Sequence, residues 1–131
     1  MHPAANQYRK HQMSTSTPAQ LIGLLYDALL ASIRRGAEAL HESTFPLANE
    51  QLVRAQRIVT ELRCSLNFEA GGEIAANLDA IYDYVWRQLV LANTRREPAI
   101  ALQCLELIVP LRDGWAQALL GQGAPAERIS A

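Results

Sequence analysis

From Leu21 onward, apolar and small side chains return every three or four residues, the period of one face of an α-helix. Leu21, Ile22, Leu25, Ala28, Leu29, Ser32, Ile33, Gly36 and Leu40 share that face, while Arg34, Arg35 and Glu38 fall elsewhere. The run has a clear start. In Thr17-Pro18-Ala19-Gln20, Thr17 can cap, Pro18 suits the first turn, and Gln20 completes a capping box. The helix is expected to end near His41, ahead of Ser43-Thr44-Phe45-Pro46.

Three further stripes follow. The second begins around Pro46 and carries Ala48, Leu52, Ala55, Val59, Leu62 and Leu66, with Arg54, Arg57, Glu61 and Arg63 on its wet side. It is expected to stop before Gly71-Gly72, where glycine can take the left-handed conformation common at helix ends. The third places Ile74, Leu78, Ile81, Val85, Leu89 and Ala92 in the core, with Glu73 in its first turn. Tyr82, Trp86 and Val90 lie on one flank of that stripe and Tyr84 on the other. It ends near Asn93-Thr94, and Thr94 through Pro98 announce a fourth helix.

The fourth helix differs from the others. Ala101, Leu102, Leu105, Ile108, Val109, Ala116 and Leu119 form one stripe, and Ile100, Cys104, Leu107 and Leu111 form a second. Only Gln103, Glu106, Asp113 and Gln117 remain for a polar face. A helix apolar on most sides is normally buried on most sides. Pro110 lies inside it and is expected to kink or divide it. No period-two alternation and no hairpin signal appears. The expected fold is all-α, an antiparallel up-down four-helix bundle over 17–120, with a polar leader at 1–16 and a loose tail at 121–131.

Composition narrows the function. Half the residues are hydrophobic, which suits a globular chain, and 12 basic against 13 acidic residues leave it nearly neutral. Neither nucleic acid nor an acidic membrane surface is expected as partner, because both select for a basic patch. No run approaches the ~18 apolar residues of a membrane span. The leader stays polar through Ser16 without a signal-peptide pattern, so a soluble, cytoplasmic protein is expected.

Little chemistry is on offer. Glu38-Ala-Leu-His41 has the Glu-x-x-His spacing of di-iron bundles, but His2 and His11 are the other histidines and no second motif exists. His41 sits near a helix end, where its charge suits the dipole, rather than mid-helix as phosphotransfer requires. Gly71-Gly72 lacks the flanks of a phosphate loop. Cys64 and Cys104 match neither metal nor redox spacing; they could form one disulfide, but they read first as small apolar residues in a reducing cytosol. No catalytic residue, cofactor or metal is expected. What remains is surplus apolar surface, because each bundle helix needs one buried face and the fourth has two stripes. The second stripe wants the leader, a second subunit or a client chain.

The run Thr17-Pro18-Ala19-Gln20-Leu21-Ile22, followed by Leu25-Tyr26-Asp27-Ala28-Leu29, resembles the first-helix pattern of the flagellar secretion chaperones that bind flagellin. Gly71 to Leu78, then Tyr82-Asp83-Tyr84-Val85, Leu89 and Ala92-Asn93, resemble the same family's third segment. Leu111-Arg112-Asp113-Gly114-Trp115 is similar to its Leu-Arg-x-x-Trp, and Tyr8 fits its leader tyrosine. The likeness runs from about Tyr8 to Leu120.

The resemblance implies a non-enzymatic cytoplasmic chaperone that binds the C-terminal segment of flagellin. It would prevent premature polymerisation and deliver the client to the type III export gate without ATP. It also implies a leader that covers part of the client groove through Tyr8, and a surface that a co-chaperone or regulator can share. Client contacts are then expected at Tyr8, Tyr82, Tyr84, Trp86, Val90, Ile100, Cys104, Leu107, Leu111 and Trp115. Pro110 and Gly114 depart from an ideal fourth helix, by ~3 and ~1 kcal/mol respectively, so its far end is expected to be mobile until a client orders it. The alternative is a structural or regulatory bundle that self-associates through the fourth helix.

Overall fold

The expected start at Thr17 forms as drawn. In the computed structural model, which describes residues 17–122, the Gln20 N–H donates to Thr17 Oγ1 (3.1 Å) and the Thr17 N–H donates to Gln20 Oε1 (3.0 Å). With Pro18 in the first turn, this reciprocal pair opens helix α1, Pro18–His41. Residues 42–44 turn the chain, with Ser43 at φ 60° and the Thr44 N–H returning to the Ala39 carbonyl.

Helix α2 runs Phe45–Cys64, ending well before the glycine pair. Leu66 lies four residues after Leu62, so the apolar period carries the pattern past the true end. Asn67 then caps helix α3, Phe68–Arg95, by accepting from the Ala70 N–H (3.0 Å). Gly72 does take a positive φ, at φ 49°, ψ −123°, but it bends the opening of α3 instead of closing α2. Side chains are strained in that conformation, so the bend needs glycine.

Arg96, at φ 55°, closes α3 and lays its guanidinium over the Phe45 ring, 3.9 Å from the centroid. Helix α4 follows as Pro98–Gln122. It stays a single helix across Pro110, which corrects the expectation of a division there. Pro110 removes the donor to the Glu106 carbonyl, and both residues are exposed, so the interruption falls outside the core.

Four helices and no strand make up the described residues. Two- and three-residue connections force antiparallel neighbours. Helix α1 packs on α2 and α4, and α3 completes the ring between them, with its seam to α4 the sparsest. Gly36 lets α1 and α2 approach closely: a Cβ there would stand 2.7 Å from Leu52 Cδ2.

The inward rows follow alternating steps of three and four residues. In α3 the fully buried positions are Ala75, Tyr82, Val85, Leu89 and Ala92. Ile74, expected in the core, is 56% exposed. In α4 the buried row is Ala101 and Ile108 from the first expected stripe, Cys104 from the second, and Trp115, which was in neither. Leu102 is accordingly 48% exposed and Ala116 lies outside. Tyr26 and Leu30 join the α1 core, which wraps further round the helix than one stripe.

Candidate functional site

The start of α1, the end of α2, the start of α3 and the end of α4 meet at one end of the bundle. They leave a cavity of about 250 Å³. Its walls are mainly apolar, with Ile22 from α1, Leu66 just past α2, Ile74 and Leu78 from α3, and Leu111 from α4. The bend at Gly72 turns the opening residues of α3 away from a straight path, and Ile74 sits exposed at the rim.

Four polar side chains also line it. Tyr26 and Tyr82 bring their hydroxyls to 2.6 Å from each other across the bundle, both rings buried. Burial raises both phenols above their ordinary pKa; their mutual hydrogen bond partly offsets this for Tyr26 and adds to it for Tyr82. Ser65 donates its hydroxyl to the Leu62 carbonyl (2.6 Å). The Trp115 Nε1–H donates to the Ala19 carbonyl (2.8 Å) in the first turn of α1.

That indole bond is half of a clasp. Trp115 also lies against Gly23, with Cδ1 3.7 Å from where a Cβ would stand. One turn earlier, Arg112 bridges Asp27 of α1 (3.0 Å) and its own neighbour Asp113 (2.9 Å), and these partners hold its guanidinium pKa up. The stretch of α4 beyond Pro110 is thereby tied to the opening of α1 while forming one wall of the cavity.

A second concavity opens on the sparse α3–α4 seam, lined in part by Ile81, Tyr84, Cys104 and Leu107. Tyr84 is 48% and Leu107 37% exposed, so apolar surface continues to solvent there. Cys104 is interior, its thiol donating to the Ile100 carbonyl (3.5 Å) and its pKa pushed up to about 11 by burial. It is a packed thiol, not a nucleophile.

The sequence-expected contact residues therefore divide. Tyr82, Leu111 and Trp115 gather at the end cavity, and Tyr84, Cys104 and Leu107 gather on the seam. Tyr82, Cys104 and Trp115 are core side chains, so any exposure they offer is to a concavity and not to open surface. Trp86 and Val90 follow Asp79 and Asp83 at helical spacing, on the flank where Arg63 of α2 pairs with both carboxylates at 2.8 and 3.3 Å. Ile100 is half-buried against the core. Tyr8 lies outside the described residues.

Sequence reasoning missed Tyr26, Leu66 and Ile74 as parts of one site. The available signal was the tyrosine at position 26, off the α1 stripe yet large and apolar, but its partner stands 56 residues away. Among the described residues, no cluster of three His, Cys, Asp or Glu is placed to hold a metal ion, and no helix is long and apolar enough to cross a membrane.

The sequence pattern of the family described as "Flagellar protein FliS" matches residues 1–122. The chain is 34% identical over 112 residues to the flagellar secretion chaperone FliS of Bacillus subtilis, covering 86% of this chain and 83% of that one. It is 30% identical over 106 residues to the flagellar secretion chaperone FliS of Vibrio cholerae, at 81% and 78% coverage. The flagellar secretion chaperone FliSB of Pseudomonas aeruginosa is 32% identical over 104 residues, at 79% and 82%.

Proposed function

The chain belongs to the FliS family of flagellar secretion chaperones, and from that premise we propose that its client is the C-terminal segment of flagellin. A chaperone role is non-catalytic. In this reading the protein works in the cytoplasm. It shields the aggregation-prone client segment from premature polymerisation, then brings it to the flagellar type III export apparatus as a complex. A co-chaperone or regulator shares the remaining surface.

The observation that carries the client site is the apolar cavity at the bundle end, continuous with exposed Ile74 at its rim. Apolar surface left open by a folded domain marks a place for a partner. Leu111 and Trp115 meet the client there, with Tyr82 as the wall beneath. Tyr84 and Leu107 meet it along the α3–α4 seam, backed by Cys104, while Trp86, Val90 and Ile100 flank the path. In this reading Tyr8 of the leader is a further client contact.

The test is co-elution of the full chain with a flagellin C-terminal fragment on size exclusion. An equimolar complex is expected, and it should disappear when the client's C-terminal segment is deleted. Failure of the folded chain to retain the fragment would sink the reading.

A further inference from the structure

The polar groups around the end cavity do not balance. Tyr26, Ser65, Tyr82 and Trp115 together bring four side-chain protons to its lining. Ser65 gives its proton to the Leu62 carbonyl and Trp115 gives its proton to the Ala19 carbonyl. The two tyrosines share one hydrogen bond, in which either hydroxyl can be the donor, so one proton lies between their oxygens. The remaining phenol proton has no acceptor among the described residues. Tyr26 is 3% and Tyr82 2% exposed, so an acceptor from outside the fold reaches this proton through the cavity. A buried O–H without an acceptor is expensive, and a void bordered by that group is where an acceptor fits.

We propose that the Tyr26–Tyr82 pair is the specificity-determining polar contact of this cavity, and that it donates its unused proton to an amide carbonyl oxygen of the client. The inference rests on the chaperone reading above and adds the chemistry by which the client is recognised. A partner group that is purely apolar would fill the walls but leave the phenol unpaired. A carboxylate would lose its hydration in an apolar pocket for one hydrogen bond. An amide carbonyl accepts that bond without bringing a charge. Both phenol pKa values are raised by burial, so the proton remains available across the physiological range.

The arrangement has a distinctive mutational signature. In Tyr26→Phe or Tyr82→Phe alone, the surviving hydroxyl loses its intramolecular partner but keeps a proton to give. Each single variant should bind the flagellin C-terminal fragment within about twofold of the unmodified chain. Only Tyr26→Phe/Tyr82→Phe removes the donor, and its affinity should fall about tenfold, the worth of roughly one hydrogen bond. Calorimetric titration of the full-length proteins reads this, with thermal unfolding to establish that each variant is folded. Equal affinity of the double variant and the unmodified chain would overturn the proposal. So would losses in the two singles that add up to the loss in the double, since that is the behaviour of packing. If the double variant fails to fold, weakened binding by both folded singles suffices to reject it. Absence of binding by the unmodified chain would instead reject the chaperone reading itself.

Discussion

Replacing Gly36 by alanine adds one methyl group at the closest approach of α1 and α2, and two opposing effects can be separated there. Alanine in a helix interior is favoured over glycine by ~1 kcal/mol. Against this, the new Cβ would stand 2.7 Å from Leu52 Cδ2 and 2.9 Å from its Cγ. Leu52 is fully buried at the centre of α2, so the whole side chain must leave its rotamer or the helices must part. Overpacking of that kind costs about 1–3 kcal/mol. We expect Gly36→Ala to destabilise by about 1 kcal/mol net, lowering Tm by about 4 °C. Gly114→Ala supplies the internal reference, because no atom lies within 4 Å of its added Cβ. It should stabilise by ~0.5–1 kcal/mol. Urea unfolding followed by far-UV circular dichroism measures both. In a Leu52→Ala background, which itself costs about 2–5 kcal/mol, the sign at Gly36 should reverse, because the clashing atoms are gone. If Gly36→Ala stabilises as much as Gly114→Ala in the unmodified background, the close-contact argument is refuted.

Ser32 is fully buried and its hydroxyl oxygen has no hydrogen-bond partner among the described residues, so Ser32→Ala should raise stability by ~1 kcal/mol in the same unfolding assay. Pro110→Ala restores a donor inside α4 and should slow hydrogen exchange across residues 111–120, by an amount that reflects a local gain of up to ~3 kcal/mol; unchanged exchange there would mean that the proline does not weaken the helix. Burial raises the Cys104 thiol from 9.0 to about 11, so between those values the unfolded chain loses a proton that the folded chain keeps. Stability is therefore full below pH 9 and falls as pH rises toward 11, with Tyr26 and Tyr82 acting in the same direction above their ordinary value of 10.0. Urea midpoints at pH 8 and pH 10 test this, and at pH 8 a disulfide reagent should modify exposed Cys64 well before Cys104.

The helices were legible because their signals are local. Thr17, Pro18 and Gln20 sit within one turn of one another, and the predicted capping box is the one that forms. The two boundary errors have local causes as well. Leu66 continues the α2 period and conceals the cap at Asn67, while the glycine pair marks a bend that resembles an end when read without its surroundings. Pro110 was expected to kink or divide α4, yet α4 runs through it undivided, with Pro110 and Glu106 both at exposed positions. The residues proposed to contact a client stood out in the sequence only as a surplus of apolar and aromatic side chains, without a division between the end cavity and the seam.

By itself the sequence determined the four helices of the described residues, the start at Thr17, the absence of strand among those residues, and that α4 has more apolar surface than one face requires. Those properties depend on residues within a few turns of each other. Only the tertiary structure decided which row of α4 points inward. Cys104, Ile108 and Trp115 were chosen over Leu102 and Ala116 by what α1 and α3 present to them, since a helix apolar on most sides has no preferred face of its own. Likewise, the Trp115 indole meets a carbonyl 96 residues earlier and the Tyr26 hydroxyl meets the Tyr82 hydroxyl 56 residues later. Periodicity has no term for such pairs. They arise when separate helices dock, and they turn a surplus of apolar side chains into a cavity with one unassigned proton.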